Sequence, residues 1–432
     1  MALTRIPYRN TGYFSPLICD LIEGHPALET LISGPVQLGQ FEKQIEAKQM
    51  QYTLSTRKTL VKELQLQYQD FPQTNMVEAQ LSLLVKDTTF TITTGHQLNL
   101  FTGPLYFFYK IISTINLCKQ LKQKHPQFNF LPVYWMATED HDFEEISSFH
   151  FQGRKMQWTQ ESQGPVGRLT LASLSALLDL FEQSIGETDR AKDVKALIHS
   201  TYRSTDTLAE ATQKLVHHFF AEEGLLILDA DRKALKECFI PQIKNDLEHG
   251  HCHSTVEDTI AKIKEDYNQN YTPQVNPRQV NLFYLINDLR ERIERTSTGY
   301  ITTETKTTFT KKALWEEVEN HPERFSPNVL MRPLYQEVIL PNLCYIGGGG
   351  EIAYWLELKQ YFEKEAVPFP LLLLRNSAVL TSRKTAEKIS RLDLTKEELF
   401  LKRNALINKK IRQISNIDLD LQFLKEKLEE QF

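Results

Sequence analysis

Three strand–turn–helix–strand units constrain the fold of this 432-residue chain more than any other feature. The first unit predicts a strand over residues 90–94, a helix over residues 105–124 and a buried strand over residues 130–137. The helix is indicated by apolar residues that recur at intervals of three and four positions. Strands that alternate with helices in this way form parallel sheets. The unit therefore predicts an α/β domain.

The second and third units repeat this pattern further along the chain. In the second, Thr207 and Glu210 have the spacing of a capping box at the start of a helix, and a strand over residues 225–228 follows Gly224. The third predicts a strand, a glycine turn, a helix and a strand, at residues 343–346, 347–350, 351–363 and 371–374. Three such units predict a doubly wound parallel sheet.

The remaining segments suggest a core with additions. Residues 149–205 and 245–325 have mixed short elements, so we expect them to be insertions in a core over residues 1–390. From Leu394 onwards Gly and Pro are absent, and apolar residues alternate by three and four at Ile414, Ile417, Leu421, Leu424 and Leu428. This predicts a coiled-coil arm over residues 391–432, with an amphipathic core helix as the alternative. The pattern still runs at the last residue, so we expect the arm to be cut short.

Composition excludes several classes of protein. Apolar residues make up 41% and the formal net charge is −5, so the chain can bury a core but has no basic excess for a phosphate backbone. The five cysteines are scattered and never spaced C-x-x-C, which indicates reduced thiols. The chain starts without an apolar signal core and has no run near the ~20 residues that span a bilayer. We expect a cytoplasmic protein that binds neither nucleic acid nor membrane.

The first candidate site lies where the first strand ends and its helix is about to begin. Doubly wound folds place ligands at this edge of the sheet, where glycines and helix N–H groups can approach a phosphate. We predict that His96 and Gln97 are catalytic, with His96 donating to a phosphate oxygen as charge builds. The predicted nucleotide-binding residues are Gly95, Thr102, Gly103 and Lys110. The alternative is a plain turn whose histidine caps the helix.

The second candidate site is an acidic segment just past the next strand. Residues 139–145 carry five carboxylates and one imidazole, which suit a cationic partner: an ammonium group, Mg²⁺ or a proton in transit. We predict catalytic roles for Asp140, His141 and Asp142, and substrate binding by Glu139. The alternative is an acidic helix N-terminus that the helix dipole stabilises.

The third candidate site is the run of four glycines. A glycine turn between strand and helix suits adenosine or phosphate, because no side chain blocks the backbone; a flexible turn is the alternative. It is no Walker motif, since neither Lys-Ser nor Lys-Thr follows. The nucleotide-binding residues predicted here and at the end of the next strand are Gly347, Gly348, Gly349, Gly350, Glu351, Arg375, Asn376 and Ser377. The upstream helix contributes predicted substrate-binding residues Arg332, Tyr335 and Gln336.

Two other motifs give weaker signals. The tract from His249 to His253 has ligands too close in sequence for one tetrahedral ion, and no distant cysteine pair completes a site. We expect a solvated loop there, with a metal as the alternative. No G-x-S-x-G elbow supports a serine hydrolase. We predict no metal ligand, and a role for Mg²⁺ stays open.

Together these blocks resemble the bacillithiol-biosynthesis family of cysteine ligases. The similarity covers residues 94–97 and 100–106, 139–146, 280–284 and 290–295, 334–336 with Pro341, 345–350 and 375–377. One departure is Gly349, where we expect proline in many relatives. The resemblance implies a Rossmann-like core akin to class I aminoacyl-tRNA synthetases, with connecting-peptide insertions and a coiled-coil arm that forms homodimers.

The resemblance also implies a reaction, in which the carboxyl of cysteine is joined to the amine of glucosaminyl malate. Our leading hypothesis is activation of cysteine by ATP as an acyl-adenylate, with ATP, ADP or AMP as the bound nucleotide. The alternatives are a nucleotidyltransferase for another small acid or sugar, and a non-catalytic scaffold whose coiled coil binds partners. The enzymatic hypothesis requires His96, the acids at 140–142 and the glycine turn to meet in one cavity.

Overall fold

The computed structural model describes residues 5–35, 37–69, 71, 74–286, 288–414 and 422–430. Contacts between residues divide the chain into two units, Gly24–Ser377 and a smaller one formed by Met1–Glu23 with Ala378–Phe432. In the larger unit the strands are β1 (Thr89–His96), β2 (Asn129–Met136), β3 (Ser148–Phe151), β4 (Arg154–Gln157), β5 (Leu226–Asp229), β6 (Leu282–Ile286), β7 (Leu289–Arg295), β8 (Tyr300–Thr302), β9 (Thr308–Phe309), β10 (Phe325–Pro327), β11 (Asn342–Gly347) and β12 (Leu371–Leu374).

The α-helices of the larger unit surround these strands. They are Phe41–Gln51, Leu54–Gln67, Asn75–Leu84, Tyr106–Lys124, Phe143–Ile146, Ser175–Ser184, Asp189–Ser200, Leu208–Phe220, Lys233–Glu237, Ile240–His249, His251–Asp266, Lys311–Asn320, Met331–Ile339, Gly349–Leu356 and Lys359–Lys364. Short 3₁₀ helices are Pro26–Leu31, Leu38–Gln40, Leu100–Thr102, Val166–Arg168, Ala172–Leu174, Ala221–Glu223 and Pro322–Arg324.

The central sheet is parallel and has the order β12-β11-β1-β2-β5. The chain runs outward from β1 to β2 and β5, then returns to β11 and continues outward to β12 on the other side. The order therefore switches direction between β1 and β11, which is where doubly wound sheets form a ligand crevice. Every residue of β1 and β11 is buried, as expected for strands covered on both faces. The predicted doubly wound sheet is confirmed.

One hydrophobic cluster holds a face of this sheet to its helices. Phe90 and Ile92 of β1 pack with Ile346 of β11, and Leu121 of the following helix lies against them. Phe41 closes the cluster from the helix near the start of the unit. These side chains are 0–1% exposed, so β1 and β11 are fixed firmly at the switch point.

A second sheet belongs to the insertion between β5 and β11. It is antiparallel, with the order β10-β6-β7-β8-β9. The other insertion, between β2 and β5, contains the hairpin of β3 and β4 followed by helices. Residues 149–205 and 245–325 contain both helices and short strands.

The smaller unit is helical. Its α-helices are Tyr8–Thr11, Pro16–Glu23, Arg383–Arg391, Arg403–Ile414 and Gln422–Glu429, with a 3₁₀ turn at Glu398–Phe400. Within it Arg9 forms ion pairs with Asp20 and Glu23 at 2.6 and 2.7 Å, and Tyr13 contacts Phe400 edge to face. Of the predicted coiled-coil seam, positions 414, 417, 421 and 424 lie outside the residues whose side chains are described. Leu428 is 62% exposed.

Two local predictions are wrong. The helix expected over residues 351–363 is two helices, Gly349–Leu356 and Lys359–Lys364, and between them the buried Glu357 accepts hydrogen bonds from the Tyr271 hydroxyl and the Gln274 backbone amide. The loop expected at residues 249–253 is a junction of two helices, because Gly250 takes the left-handed conformation (φ 63°) that ends the first.

Two features are absent from the described residues. None of the helices there combines the length and the apolar character needed to cross a bilayer. Likewise, in the described part of the chain no three His, Cys, Asp or Glu side chains are grouped to hold a metal ion.

Candidate active site

A cleft of about 760 Å³ opens at the carboxyl ends of β1 and β11, at the switch in strand order. Its size is within the range of small-molecule sites. One side consists of the ends of β1 and β2, another of the glycine turn and Arg375, and the third of residues from the second sheet and its flanking loop. The cleft therefore joins the Rossmann-like sheet to an insertion.

Most of the predicted site residues meet in this cleft. From the three motifs and their neighbours it is lined by Gly95, His96, Gln97, Lys110, Glu139, Asp140, His141, Arg332, Gly348, Gly349, Gly350, Glu351 and Arg375. The convergence that the enzymatic hypothesis requires is thus present. The chemical roles assigned to these residues stay predictions.

Thr102 and Gly103 lie outside the cleft, in a tight turn before the helix. Phe101 and Thr102 both have positive φ, 53° and 74°, and the Phe101 ring packs against Phe149 and Tyr202 of the inserted segment. The Phe101 amide also donates to the Tyr202 hydroxyl at 2.9 Å. This turn therefore ties the insertion to the core and faces away from the cleft.

The other predicted residues that lie outside the cleft have structural partners. Asp142 caps the helix Phe143–Ile146, since its side chain accepts the Glu145 amide at 3.3 Å. Tyr335 is fully buried and donates to the carbonyl of Ala230 at 2.7 Å.

Gln336 and the two residues after Arg375 are likewise occupied outside the cleft. Gln336 is 3% exposed and donates to the Glu337 carboxylate at 3.0 Å. The backbone amide of Asn376 donates to the Ser113 hydroxyl, and Ser377 accepts from Arg375. Gly347 lies within β11, and its carbonyl accepts the amide of Arg375 at 2.8 Å.

His96 is neutral in this cleft. Its side chain packs against the rings of Tyr106 and Phe107, and burial, reinforced by the charge of Lys110, lowers the pKa of His96 to about 3. Its buried Nε2 has no hydrogen-bond partner among the described residues. A buried polar atom without a partner is costly, so His96 Nε2 is suited to a hydrogen bond with a ligand.

Asp140 is a strongly ionised carboxylate. Its Oδ2 accepts the side-chain amide of Gln97 at 2.5 Å, and its Oδ1 accepts the backbone amide of His141 at 2.7 Å. Burial alone would raise the pKa of Asp140, but the side chains of His141 and Gln97 and the charges of Arg290 and Arg332 outweigh it and hold the pKa well below its usual range. Asp140 is therefore a weak base and a good partner for a cation.

Lys110 and Glu351 form a buried ion pair beneath the glycine turn. Lys110 Nζ lies 2.5 Å from Glu351 Oε2 and donates to the Gly95 carbonyl at 2.7 Å. The carboxylate of Glu351 also accepts from the Tyr345 hydroxyl at 2.7 Å and from the Gly348 amide at 2.8 Å. Since both charges have partners within the protein, this pair stabilises the glycine turn and does not provide an unpaired charge for a ligand.

Glu139 belongs to a buried charge network behind the cleft. Lys236 donates to Glu139 Oε1 at 2.5 Å and lies 3.1 Å from Asp231, which Arg168 also binds at 2.8 Å. Burial lowers the pKa of Lys236, but the adjacent Glu139 and Asp231 outweigh it and raise the pKa above its ordinary value. The network fixes the end of β2, from which Asp140 and His141 follow.

No function was predicted for the arginines on the side of the cleft that the second sheet and its flanking loop form. Arg278, Arg290 and Arg292 line the cleft opposite the sheet edge. Arg278 and Arg292 are exposed, and in the described chain their guanidinium groups form no hydrogen bond or ion pair. The available signal was the alternation Arg290, Arg292 along β7, which places both on one face of the strand.

The cleft is electropositive overall. Among its described lining residues are six cationic side chains, Lys110, Arg278, Arg290, Arg292, Arg332 and Arg375, against three carboxylates, Glu139, Asp140 and Glu351. Such an excess favours anionic ligands, while Asp140 retains one place for a cation.

Comparison with known proteins identifies the family. Residues 1–376 match the family model "Bacillithiol biosynthesis BshC, N-terminal Rossmann-like domain", and residues 378–432 match the corresponding C-terminal coiled-coil domain. The chain belongs to the BshC family. The predicted family, the Rossmann-like domain and the coiled-coil domain are thereby confirmed.

Individual BshC relatives agree over almost the whole chain. A protein of Flavobacterium johnsoniae named "Putative cysteine ligase BshC" is 50% identical over 427 residues, which are 99% of this chain and 80% of the relative. Proteins of the same name from Flavobacterium psychrophilum and Christiangramia forsetii are each 47% identical, with the same shares covered.

Proposed function

We propose that this chain is an amide-forming ligase of bacillithiol biosynthesis, which joins the carboxyl of cysteine to the amine of glucosaminyl malate with the use of ATP. The observation that carries the proposal is the cleft at the switch point. It combines a cationic lining with the strongly ionised Asp140, and so has places for phosphate or carboxylate groups and for an ammonium group. The names of the relatives support the same class of enzyme.

The glycine turn fits a nucleotide. Apart from Gly350 itself, its chain neighbours and the backbone of its own helix, no described atom lies within 4 Å of the position where a Cβ at Gly350 would stand, so the backbone there is open to a ligand. Amides at the start of the helix Gly349–Leu356 favour an anion, and Arg375 extends over the Tyr106 ring at 4.7 Å on the same side. When bound, ATP would supply a phosphate leaving group that activates the cysteine carboxyl.

Asp140 binds an ammonium group in this proposal and does not remove its proton. Its low pKa makes it a poor acceptor, whereas its charge stabilises a cation close to the reacting carboxyl. His96 donates from Nε2 to a ligand oxygen in its neutral form, which costs no protonation at neutral pH. In the overall reaction the ammonium first loses a proton to water, the free amine nitrogen then bonds to the cysteine carbonyl carbon, and the bond from that carbon to the leaving oxygen breaks.

The direct test is incubation of the purified protein with cysteine, glucosaminyl malate and ATP, followed by mass spectrometry. The expected product has the mass of the two substrates less one water. Glucosaminyl malate that instead carries a covalent nucleotide would contradict the ligase and indicate a nucleotidyltransferase. Absence of any product would contradict the ligase.

Calorimetry with ATP and ADP tests the phosphate role of His96. We expect His96→Ala to weaken nucleotide binding, because the cleft loses a buried donor. His218→Ala is the matched control, since this exposed histidine lies on the helix Leu208–Phe220 outside the cleft. Equal nucleotide affinity of wild type and His96→Ala would refute the assignment.

We also propose that two chains associate through the coiled-coil domain. Ile407 and Ile411 lie one turn apart on the helix Arg403–Ile414 and are 43% and 52% exposed, which supports an apolar contact. Light scattering of wild type and Ile407→Lys tests this: the wild type should be a dimer and the variant a monomer. A monomeric wild type would refute it.

A further inference from the structure

Arg290 of β7 is held rigidly at the wall of the cleft. Its Nε donates to the Ser326 hydroxyl at 3.1 Å and one terminal nitrogen donates to the Pro327 carbonyl at 3.1 Å. The guanidinium carbon lies 3.9 Å from the centre of the Phe283 ring. The other terminal nitrogen lies 2.9 Å from Nδ1 of His141. The first three contacts fix the guanidinium so that its remaining terminal nitrogen points at the imidazole.

The contact with Arg290 decides which nitrogen of His141 carries the proton. A guanidinium has only donors, so Nδ1 must accept, and the proton of the neutral ring is then on Nε2. Asp140 makes the longer contact, because its Oδ1 is 3.6 Å from Nδ1, compared with 2.9 Å for Arg290, and already accepts the backbone amides of His141 and Asp142. The Phe283 ring, 5.4 Å from the imidazole, limits its rotation.

We infer that Arg290 is a positioning residue that keeps the proton on Nε2 of His141, and that His141 is a hydrogen-bond donor to the reacting carbonyl oxygen. This inference rests on the proposed function. When the amine attacks the activated cysteine, the new C–N bond pushes the carbonyl electron pair onto oxygen, and the Nε2–H of His141 stabilises that charge. When the C=O bond re-forms, the bond to the phosphate oxygen breaks, and the amine proton passes to water.

This role differs from that of a general base. Nε2 already holds a proton, and Nδ1 is occupied by Arg290, so the ring has no free lone pair for the amine proton. The side chain of His141 is 43% exposed at the cleft, so its Nε2–H can reach a ligand.

The tautomer can be measured without any assumption about activity. We would label the histidines with ¹⁵N and record the ring-nitrogen shifts at pH 8, using His141→Gln to assign the His141 signals. The wild type should show a protonated Nε2 and an unprotonated Nδ1. Arg290→Met, which keeps the length of the side chain but removes the donors, should shift the Nδ1 resonance. Arg292→Gln, on the same strand, should leave it unchanged.

Either of two results would overturn the assignment of Arg290: a wild-type His141 with its proton on Nδ1, or ring shifts that are identical in wild type and Arg290→Met. The wild-type spectrum alone is decisive should Arg290→Met fail to fold.

The donor role is tested by ligation kinetics. Gln at position 141 can place an amide N–H near the position of Nε2, whereas Ala cannot. We expect kcat to fall by about 100-fold in His141→Ala, the usual effect of losing one such donor, and by less than about 10-fold in His141→Gln. Equal losses in the two variants would overturn the donor role. If the wild type forms no amide product, the proposed function fails and the donor role with it, while the tautomer spectrum still decides the assignment of Arg290.

Discussion

Removal of the charge on Glu337 should destabilise the protein strongly, because it leaves Lys48 buried without a counterion. Both side chains are 0% exposed, and Lys48 Nζ lies 3.3 Å from Glu337 Oε2. Glu337 also accepts the side-chain amide of Asn342 at 2.6 Å, at the first residue of β11. The pair thus anchors the end of β11 opposite the glycine turn.

The size of the loss in free energy of unfolding depends on whether Lys48 stays charged in Glu337→Gln. Breaking a buried ion pair by removing one partner costs about 3–5 kcal/mol. Lys48 can avoid a buried charge by releasing its proton, which for an amine of pKa about 10.4 costs about 4.6 kcal/mol at pH 7. That value is the upper limit at this pH. The double variant, which adds Lys48→Met, has no unpaired buried charge. It should therefore recover most of the lost free energy of unfolding.

The loss in free energy of unfolding should also become smaller as the pH rises. Burial lowers the pKa of Lys48 in the folded state even beside Glu337, and in the variant nothing opposes this effect. Between the lowered folded pKa of Lys48 and its ordinary unfolded pKa, the unfolded variant binds more protons than the folded one, so its stability rises with pH there. The slope is about 1.4 kcal/mol per pH unit, which reduces the limiting loss to about 1.9 kcal/mol at pH 9.

Urea unfolding at pH 7, 8 and 9, followed by far-UV circular dichroism, measures these quantities for wild type, Glu337→Gln and the double variant. A loss below about 1 kcal/mol at pH 7, or a loss that stays constant to pH 9, would refute the buried-charge argument. Nucleotide affinity of the folded variant should equal that of the wild type, because the pair is remote from the cleft.

Three further predictions address the cleft and its support. Asp140→Asn removes the charge that binds an ammonium group, a charge-assisted bond worth about 1.5–3 kcal/mol, so the KM for the amine substrate should rise by roughly 10- to 100-fold in the mass-spectrometric assay. Gly350→Leu should weaken ATP binding in calorimetry while the melting temperature is retained, because the new side chain fills open space at a helix start. Burial raises the pKa of Asp246 to about 7, whereas the carboxyl of an unfolded chain titrates at about 3.9. Wild-type stability in urea should therefore fall as the pH rises from about 4 to about 7, where only the unfolded state releases this proton, and Asp246→Asn should lack that component.

The sequence predicted those parts of the fold whose signal is local. The strand at Leu371–Leu374 has the predicted bounds, and the capping box of Thr207 and Glu210 is present, with the Glu210 amide 3.3 Å from the Thr207 hydroxyl. Continuous apolar runs are typical of strands that are buried on both faces, so the strands of the parallel sheet could be predicted from their own residues.

Elements determined by distant contacts were not predictable in the same way. The break at Glu357 depends on a hydrogen bond from Tyr271, 86 positions earlier. Likewise, β7 is a polar strand that becomes one wall of the cleft only after the insertion folds over the sheet edge. Nothing in the local pattern of Leu289–Arg295 indicates that contact, although its residues belonged to the recognised blocks.

The same distinction separates the location of the candidate site from its chemistry. The positions of His96, Asp140 and the glycine turn at strand ends predicted that they meet at one sheet edge, because parallel strands bring their carboxyl ends together whatever the insertions do. The sequence left Asp140, His141 and Asp142 open as the group that takes the amine proton. In the structure, the side chains of His141 and Gln97 make Asp140 a weak base, and Arg290, 149 positions away, occupies Nδ1 of His141. The position of His141 next to Asp140 in the sequence therefore suggests a general base, whereas its contact with Arg290 makes it a hydrogen-bond donor.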